Sequence, residues 1–212
     1  FESRQWCAER AKPLEDFAQG LNSKLWAETQ EFDDRFHRDA AEKMATLGMD
    51  LGGGGDYRLL YFATRLLKPE CVVETGVAAG YSTRAILIAL AANKTGKLYS
   101  SDFPYFRLEN PEQYVGFLVE DSLKAPWNLY LEGDRRNLPA ICETAPPINL
   151  FHYDSDKSIT GRQAALDIIQ GHLAEDAVII MDDIQDNLFF RDLTMRLGVP
   201  YRVFAFENDT LE

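Results

Sequence analysis

Cysteine is scarce in this sequence. Cys7, Cys71 and Cys142 are far apart and odd in number. Their spacing fits no zinc or dithiol motif and gives no disulfide framework. Reduced thiols in the cytoplasm are the expectation. Long apolar runs are missing too. Stretches such as 177–181 are far too short to span a bilayer, so no membrane partner is expected. The opening residues mix charge and polarity, and no secretory leader is read in them. Positive charge is in deficit: 22 Lys and Arg stand against 34 Asp and Glu, a net charge of −12. An acidic surface repels phosphate backbones, so nucleic acid is not expected as a partner. Histidine is rare. His37 and His172 fall on helical stretches as ordinary surface residues, and His152 falls inside a strand as a core or supporting residue.

What is present suffices for one well-filled domain: 46% of 212 residues are hydrophobic. Residues 1–50 read as helix throughout. Leu14, Phe17, Leu21 and Leu25 recur at steps of three and four and form one apolar stripe. Trp6, Phe17, Trp26, Phe32 and Phe36 are spaced for helical packing. The glycines at 52–55 break the chain as a flexible loop. Asp56 is placed to cap a helix over 57–67, with Pro69 beyond its end. From residue 70, short apolar runs alternate with helical stretches. The strand candidates are 71–75, 97–102, 127–132, 148–153, 177–181 and 201–206. Helices are read over 82–92, 161–173 and 188–197. Strands without polar alternation, separated by amphipathic helices, imply a parallel sheet covered on both faces. The expected fold is α/β, a three-layer sandwich with a mostly parallel sheet.

The sharpest local signal runs from Val72 to Thr83. A buried strand ends at Glu74, a turn carries Gly76 and Gly80, and a helix begins near Ser82. Glycine lets backbone approach a ligand closely. In open α/β sheets ligands sit beyond the carboxyl ends of the strands. The turn is not the dinucleotide fingerprint, because position 78 is Ala78, and no Gly-Lys-Ser/Thr phosphate loop follows. Glu74 would repel a pyrophosphate and suits an ammonium or sulfonium group. A purely structural turn is the competing reading.

Glu74-x-Gly76-x-x-x-Gly80-x-Ser82 resembles the first motif of class I S-adenosylmethionine-dependent methyltransferases. Two further acids stand where that family needs them. Asp102 ends the second strand, and the resemblance implies that it binds the ribose hydroxyls. Asp134 follows the third strand in Leu131-Glu132-Gly133-Asp134, and the resemblance implies an adenine contact. A carboxylate can accept from both ribose hydroxyls, which suits the first role. Taken singly, either Asp could be a helix cap. The implied cofactor set is Glu74, Gly76, Ala78, Gly80, Ser82, Asp102, Asp134 and Asp154.

Strands four and five end in acids. Asp154 follows the fourth; Asp182 and Asp183 follow the fifth. Parallel strands bring these ends side by side. Clustered carboxylates repel unless a cation or proton intervenes, and hard oxygen ligands suit Mg²⁺ or Ca²⁺. With Lys157 three residues after Asp154, the arrangement resembles the cation-dependent catechol and caffeoyl-coenzyme A O-methyltransferases. Asp183 stands where that group has Asn. The resemblance implies a divalent cation on Asp154, Asp182 and Asp183, catalytic roles for Lys157 and Asp154, and a small-molecule methyl acceptor. The competing reading of Lys157 is a surface ion pair with Asp156, itself a loop residue.

The resemblance covers residues 56–207. It implies a Rossmann-like, mostly parallel sheet of strand order 3-2-1-4-5-7-6, with 201–206 as strand six and strand seven either cut short or absent after a turn at Asn208-Asp209. Residues 1–55 are read as an N-terminal helical extension that helps cover the substrate, and 56–212 as the methyltransferase domain. Two other functions fit less well. A nucleotide-dependent oxidoreductase would need a third glycine in the turn. A non-catalytic cofactor-binding subunit would keep the turn and leave the acidic cluster idle. The sequence leaves monomer and homodimer open and does not name the acceptor.

Overall fold

The computed structural model describes residues 2–49, 51–52, 56–106 and 108–206. The chain runs α1 (Glu2–Ala8), β1 (Ala11–Lys12), α2 (Leu14–Ala45), α3 (Tyr57–Leu67), β2 (Cys71–Thr75), α4 (Tyr81–Asn93) and β3 (Lys97–Ser101). It continues through β4 (Trp127–Tyr130), α5 (Asp134–Thr144), β5 (Ile148–Tyr153), α6 (Ile159–Ile169), β6 (Leu173–Met181), α7 (Phe189–Leu197) and β7 (Val203–Phe204). Most of the glycine loop, residues 53–55, and the turn and last strand expected over 207–212 lie outside the described residues.

Alternation along β2 builds the three layers. Val72 faces Leu60 of α3 and Ile86, Leu87 and Leu90 of α4. Cys71 and Val73 face the opposite layer, Leu138 and Ile141 of α5 and Ala165, Leu166 and Ile169 of α6. Side chains on a strand alternate sides, so a strand apolar on both sides needs helices on both. The three-layer α/β expectation holds. Outside α3 lies α2, with Phe32 stacked on Tyr61 at 4.0 Å and Trp26 edge-on to Phe62 at 6.2 Å.

The expected strand order is not adopted. The sheet has five strands, β4-β3-β2-β5-β6, all parallel. These reproduce positions 3-2-1-4-5, but the sixth and seventh are not in it. Only Val203–Phe204 of the predicted 201–206 strand forms, and it pairs with Ala11–Lys12 in a separate two-stranded parallel sheet. The N-terminal segment captures it: Phe204 packs on Phe17 at 5.3 Å, and Tyr201 stacks on Trp6 at 5.7 Å.

Residues 1–50 are not one continuous helix either. Pro13 disfavours helical backbone at Lys12, and the extended pair β1 results. A second break falls at Asn22 (φ −160°, ψ 91°), whose side chain caps Leu25 N at 3.0 Å. The break resets the helical phase. Leu14 and Leu25 are buried, while Leu21 of the predicted stripe is 53% exposed.

Helix α3 starts as the sequence suggests: Asp56 Oδ1 accepts from Arg58 N (3.1 Å) and Leu59 N (3.3 Å). Replacing Asp56 with Ala is expected to cost about 1 kcal/mol in urea unfolding, the ordinary worth of such a cap. An unchanged midpoint and slope would show that the cap contributes nothing. Among the described residues no helix is long and apolar enough to cross a membrane.

Candidate active site

The ends of β2, β3 and β5 are tied together before any side chain matters. Gly76 N donates to Ser101 O at 2.9 Å, and Asp154 N donates to Thr75 O at 3.0 Å. Gly76 (φ 83°), Ala78 (φ 47°) and Gly80 (φ 95°) all take left-handed backbone. A Cβ on Gly76 would stand 2.5 Å from the carbonyl oxygen of Asp154; one on Gly80 would stand 2.8 Å from Gly116 Cα. Both positions therefore need glycine for space as well as for dihedral angle.

Below the turn lies Glu74, fully buried. Its register neighbours are Ser100 on β3 and His152 on β5. Glu74 Oε2 accepts from Thr83 Oγ1 (2.7 Å) and Ser100 Oγ (2.8 Å). Its Oε1 is 3.6 Å from His152 Nδ1. Burial alone would push His152 down, but the Glu74 carboxylate, with Asp154 and Asp182 beyond, outweighs it and holds the imidazole above its ordinary value.

Above the turn opens a crevice lined by Gly76, Ala78, Ser82, Asp102, Asp134, Asp154, Asp182 and Asp183, part of a cavity of about 2520 Å³ that continues along β6 at the open edge of the sheet. Asp102 Oδ2 accepts from Val77 N (2.8 Å) and Ala78 N (2.7 Å), and Oδ1 from Phe103 N (2.6 Å). Burial raises the Asp102 carboxyl above its usual range, against these three backbone bonds. Asp134, the first residue of α5, accepts from Ser101 Oγ at 2.6 Å and from Ser155 Oγ. Glu74 and Gly80, also predicted to hold the ligand, support the turn from behind and do not line the crevice.

The acidic cluster forms, with one change of membership. His152, Asp154 and Asp182 bring a ligand atom each within 4.8 Å of one another. Asp183 turns aside: its carboxylate accepts from Gln185 Nε2 (3.1 Å) and pairs with Lys157 Nζ (3.2 Å). Lys157 also contacts Asp154, so its ammonium bridges the two strand ends. The surface pair with Asp156 is not made. Asp156 instead accepts from Ser158 N at 2.9 Å, in the turn that opens α6. Burial raises the Asp154 carboxyl; Asp182 adds to this, while His152 and Lys157 oppose it.

A family model for a methyltransferase domain matches residues 73–184, more than half of the chain. The chain belongs to this methyltransferase-domain family. Solved structures share the fold at low identity. A methyltransferase from Geobacter sulfurreducens is 20% identical, with a TM-score of 0.56 over 73% of this chain and 76% of that one. An SAH-bound methyltransferase from Podospora anserina is 17% identical, with a TM-score of 0.52 over 97% and 74%. An O-methyltransferase from Bacillus cereus in complex with SAH is 14% identical, with a TM-score of 0.54 over 88% and 86%. No curated protein matches the sequence.

Sequence reasoning missed three features of this methyltransferase site. His152 is two residues before Asp154, and alternation along the strand puts both on one face, a signal that was available. Phe103 lies against Gly133, where a Cβ would stand 2.0 Å from its ring, and forms an aromatic wall with Phe106 at 6.1 Å. Helix α1 closes on the turn after β6: Ser3 Oγ donates to Gln185 O at 2.7 Å, and Arg4 and Cys7 line the crevice. Nothing local in the sequence signals that last contact.

Proposed function

We propose that this domain transfers a methyl group from S-adenosylmethionine to a hydroxyl of a small molecule, assisted by a divalent cation. The observation that carries the reading is the meeting of Gly76, Asp102, Asp134, Asp154 and Asp182 on one crevice, with Lys157 paired to Asp154 and Asp183. The SAH-bound neighbours support the choice of cofactor.

The residues present fit both groups. Asp102 Oδ1 carries one bond, from Phe103 N, and keeps capacity for a ribose hydroxyl. Asp134 presents a carboxylate to the same wall for the adenine amino group. S-adenosylmethionine supplies an electrophilic methyl on a sulfonium. Asp154 and Asp182 offer oxygen ligands and His152 a nitrogen within one small volume. A divalent cation held by these three residues would supply charge that lowers the pKa of an acceptor hydroxyl. Lys157 pairs with Asp154 and Asp183; a cation that took Asp154 from it would leave its amine to receive the proton of that hydroxyl. The turn at Gly76 and the walls from Phe103 and α1 would hold donor and acceptor in contact, which lowers the barrier by proximity. The N-terminal segment thus covers the acceptor side.

Calorimetric titration with S-adenosylhomocysteine, with and without Mg²⁺, tests this reading. Binding of S-adenosylhomocysteine is expected, and acceptor screening by methyl mass gain is expected to give turnover that chelation abolishes and Mg²⁺ restores. Heat with NAD and none with S-adenosylhomocysteine would end the proposal. Turnover indifferent to chelation would remove the cation from it.

A further inference from the structure

Arg162 heads the fully buried side chains by size among the described residues, and the reaction as read above gives it no task. It projects from α6 under the acidic edge of the sheet. Its Nη2 donates to two carbonyl oxygens, Asp182 O at 3.1 Å and Asp183 O at 2.9 Å. Among the described residues its Nε and Nη1 have no hydrogen-bond partner. A guanidinium buried without a paired carboxylate is costly to the fold. Core packing alone would be served better by an apolar side chain.

What Arg162 grips is an unusual piece of backbone. Asp183 is left-handed (φ 49°, ψ 37°), a conformation uncommon outside glycine. The same carbonyl of Asp183 accepts from Asp186 N at 3.1 Å, closing the single turn Ile184–Asp186. On the sheet side Asp182 N donates to Tyr153 O at 3.0 Å, and Asp182 Oδ1 accepts from Asp183 N at 2.8 Å. Both carbonyls therefore face α6 while both carboxylates serve the crevice side. The cation also lies behind a group of three carboxylates that Lys157 alone does not neutralise.

We infer that Arg162 is a positioning residue: by holding the carbonyls of Asp182 and Asp183 it fixes the left-handed turn that aims Asp182 at His152 and Asp154, and Asp183 at Lys157. This rests on the reading of that cluster as the methyl-transfer site. Arg162 touches neither reactant and acts through the backbone of the two aspartates. Partners that orient ligating groups in this way are commonly worth about tenfold to a hundredfold in metal affinity.

Three proteins decide it: Arg162→Met, Arg162→Lys, and Asn22→Ala as a destabilised control that loses a cap in α2 and does not line the crevice. Hydrogen exchange is followed on a fragment spanning 181–188, with Mn²⁺ and S-adenosylhomocysteine as the binding probes. In Arg162→Met, exchange at 184–186 is expected to quicken by about tenfold or more. Mn²⁺ affinity is expected to fall about tenfold to a hundredfold, with S-adenosylhomocysteine affinity held within about threefold. Arg162→Lys is expected to recover part of the Mn²⁺ affinity, and Asn22→Ala to show none of these changes. Unchanged exchange in both Arg162 variants, or equal losses for Mn²⁺ and S-adenosylhomocysteine that track stability, overturns the inference. Wild-type protein that binds neither probe overturns the methyl-transfer reading instead, and the exchange comparison still judges Arg162.

Discussion

Asp154→Asn is expected to lower kcat for methyl transfer by about 10²–10³-fold, the range for losing a group that serves proton transfer and charge stabilisation. The substitution keeps the shape of the side chain and the backbone bond from Asp154 N to Thr75 O. It removes the charge that Lys157 and His152 face, leaving Lys157 paired with Asp183 alone at 3.2 Å. Stability should move the other way. Burial, the largest influence, raises the Asp154 carboxyl above its ordinary value of 3.8. Between the unfolded and folded values the native state then binds more protons, so stability falls as pH rises through that window. Asparagine carries no such cost, and the midpoint of thermal unfolding at neutral pH is expected to be unchanged or higher. Activity lost while stability is kept is the signature of a functional charge. A variant with kcat within about threefold of wild type would remove Asp154 from the proton-transfer and charge-stabilising roles given to it, since such roles are ordinarily worth about a hundredfold or more.

The parallel core was legible because its strands are buried on both faces and its helices are amphipathic. Strand β2 and helix α3 have the bounds that the sequence suggests. The glycine turn was legible because glycine is demanded there by space, and Asp102 and Asp134 line the crevice at the strand ends where the sequence puts them. Three things were not legible, for one physical reason: each depends on a contact between distant parts of the chain. Val203–Phe204 has the composition of a sheet strand, but the partner that captures it lies at Ala11–Lys12. The aim of Asp183 toward Lys157 follows from a left-handed turn held by a buried arginine on another element. Glu74 looked like a ligand for a cation, and the neighbours that bury it, Thr83, Ser100 and His152, come from three separate elements. A strand-end acid in the sequence marks an edge of the sheet. Whether its carboxylate points into the crevice or under it is decided by the register of the adjacent strands.

Gly76→Ala is expected to weaken S-adenosylhomocysteine binding by about tenfold to a hundredfold, because it displaces the residue on which the rest of the site is built. Two costs compete at this position. A left-handed alanine is strained by about 1–2 kcal/mol. The domain already tolerates that strain two residues later, at Ala78 with φ 47°. The deciding cost is contact: the new methyl would stand 2.5 Å from Asp154 O and 2.9 Å from Asp154 C. These are backbone atoms at the end of β5, and no rotamer change moves them aside. Relief requires the ends of β2 and β5 to part, which strains the bond from Asp154 N to Thr75 O and moves the Asp154 carboxylate away from Asp182 and His152. Stability is expected to fall by about 2–4 kcal/mol, within the range of severe backbone and packing substitutions. Gly20→Ala is the control, since a methyl there meets nothing within 4 Å. It should leave affinity unchanged and stability equal or slightly higher, by about 0.4–1 kcal/mol. If Gly76→Ala binds S-adenosylhomocysteine as tightly as Gly20→Ala does, the turn at Gly76 is not the floor of a cofactor site, and the assignment built on it goes too.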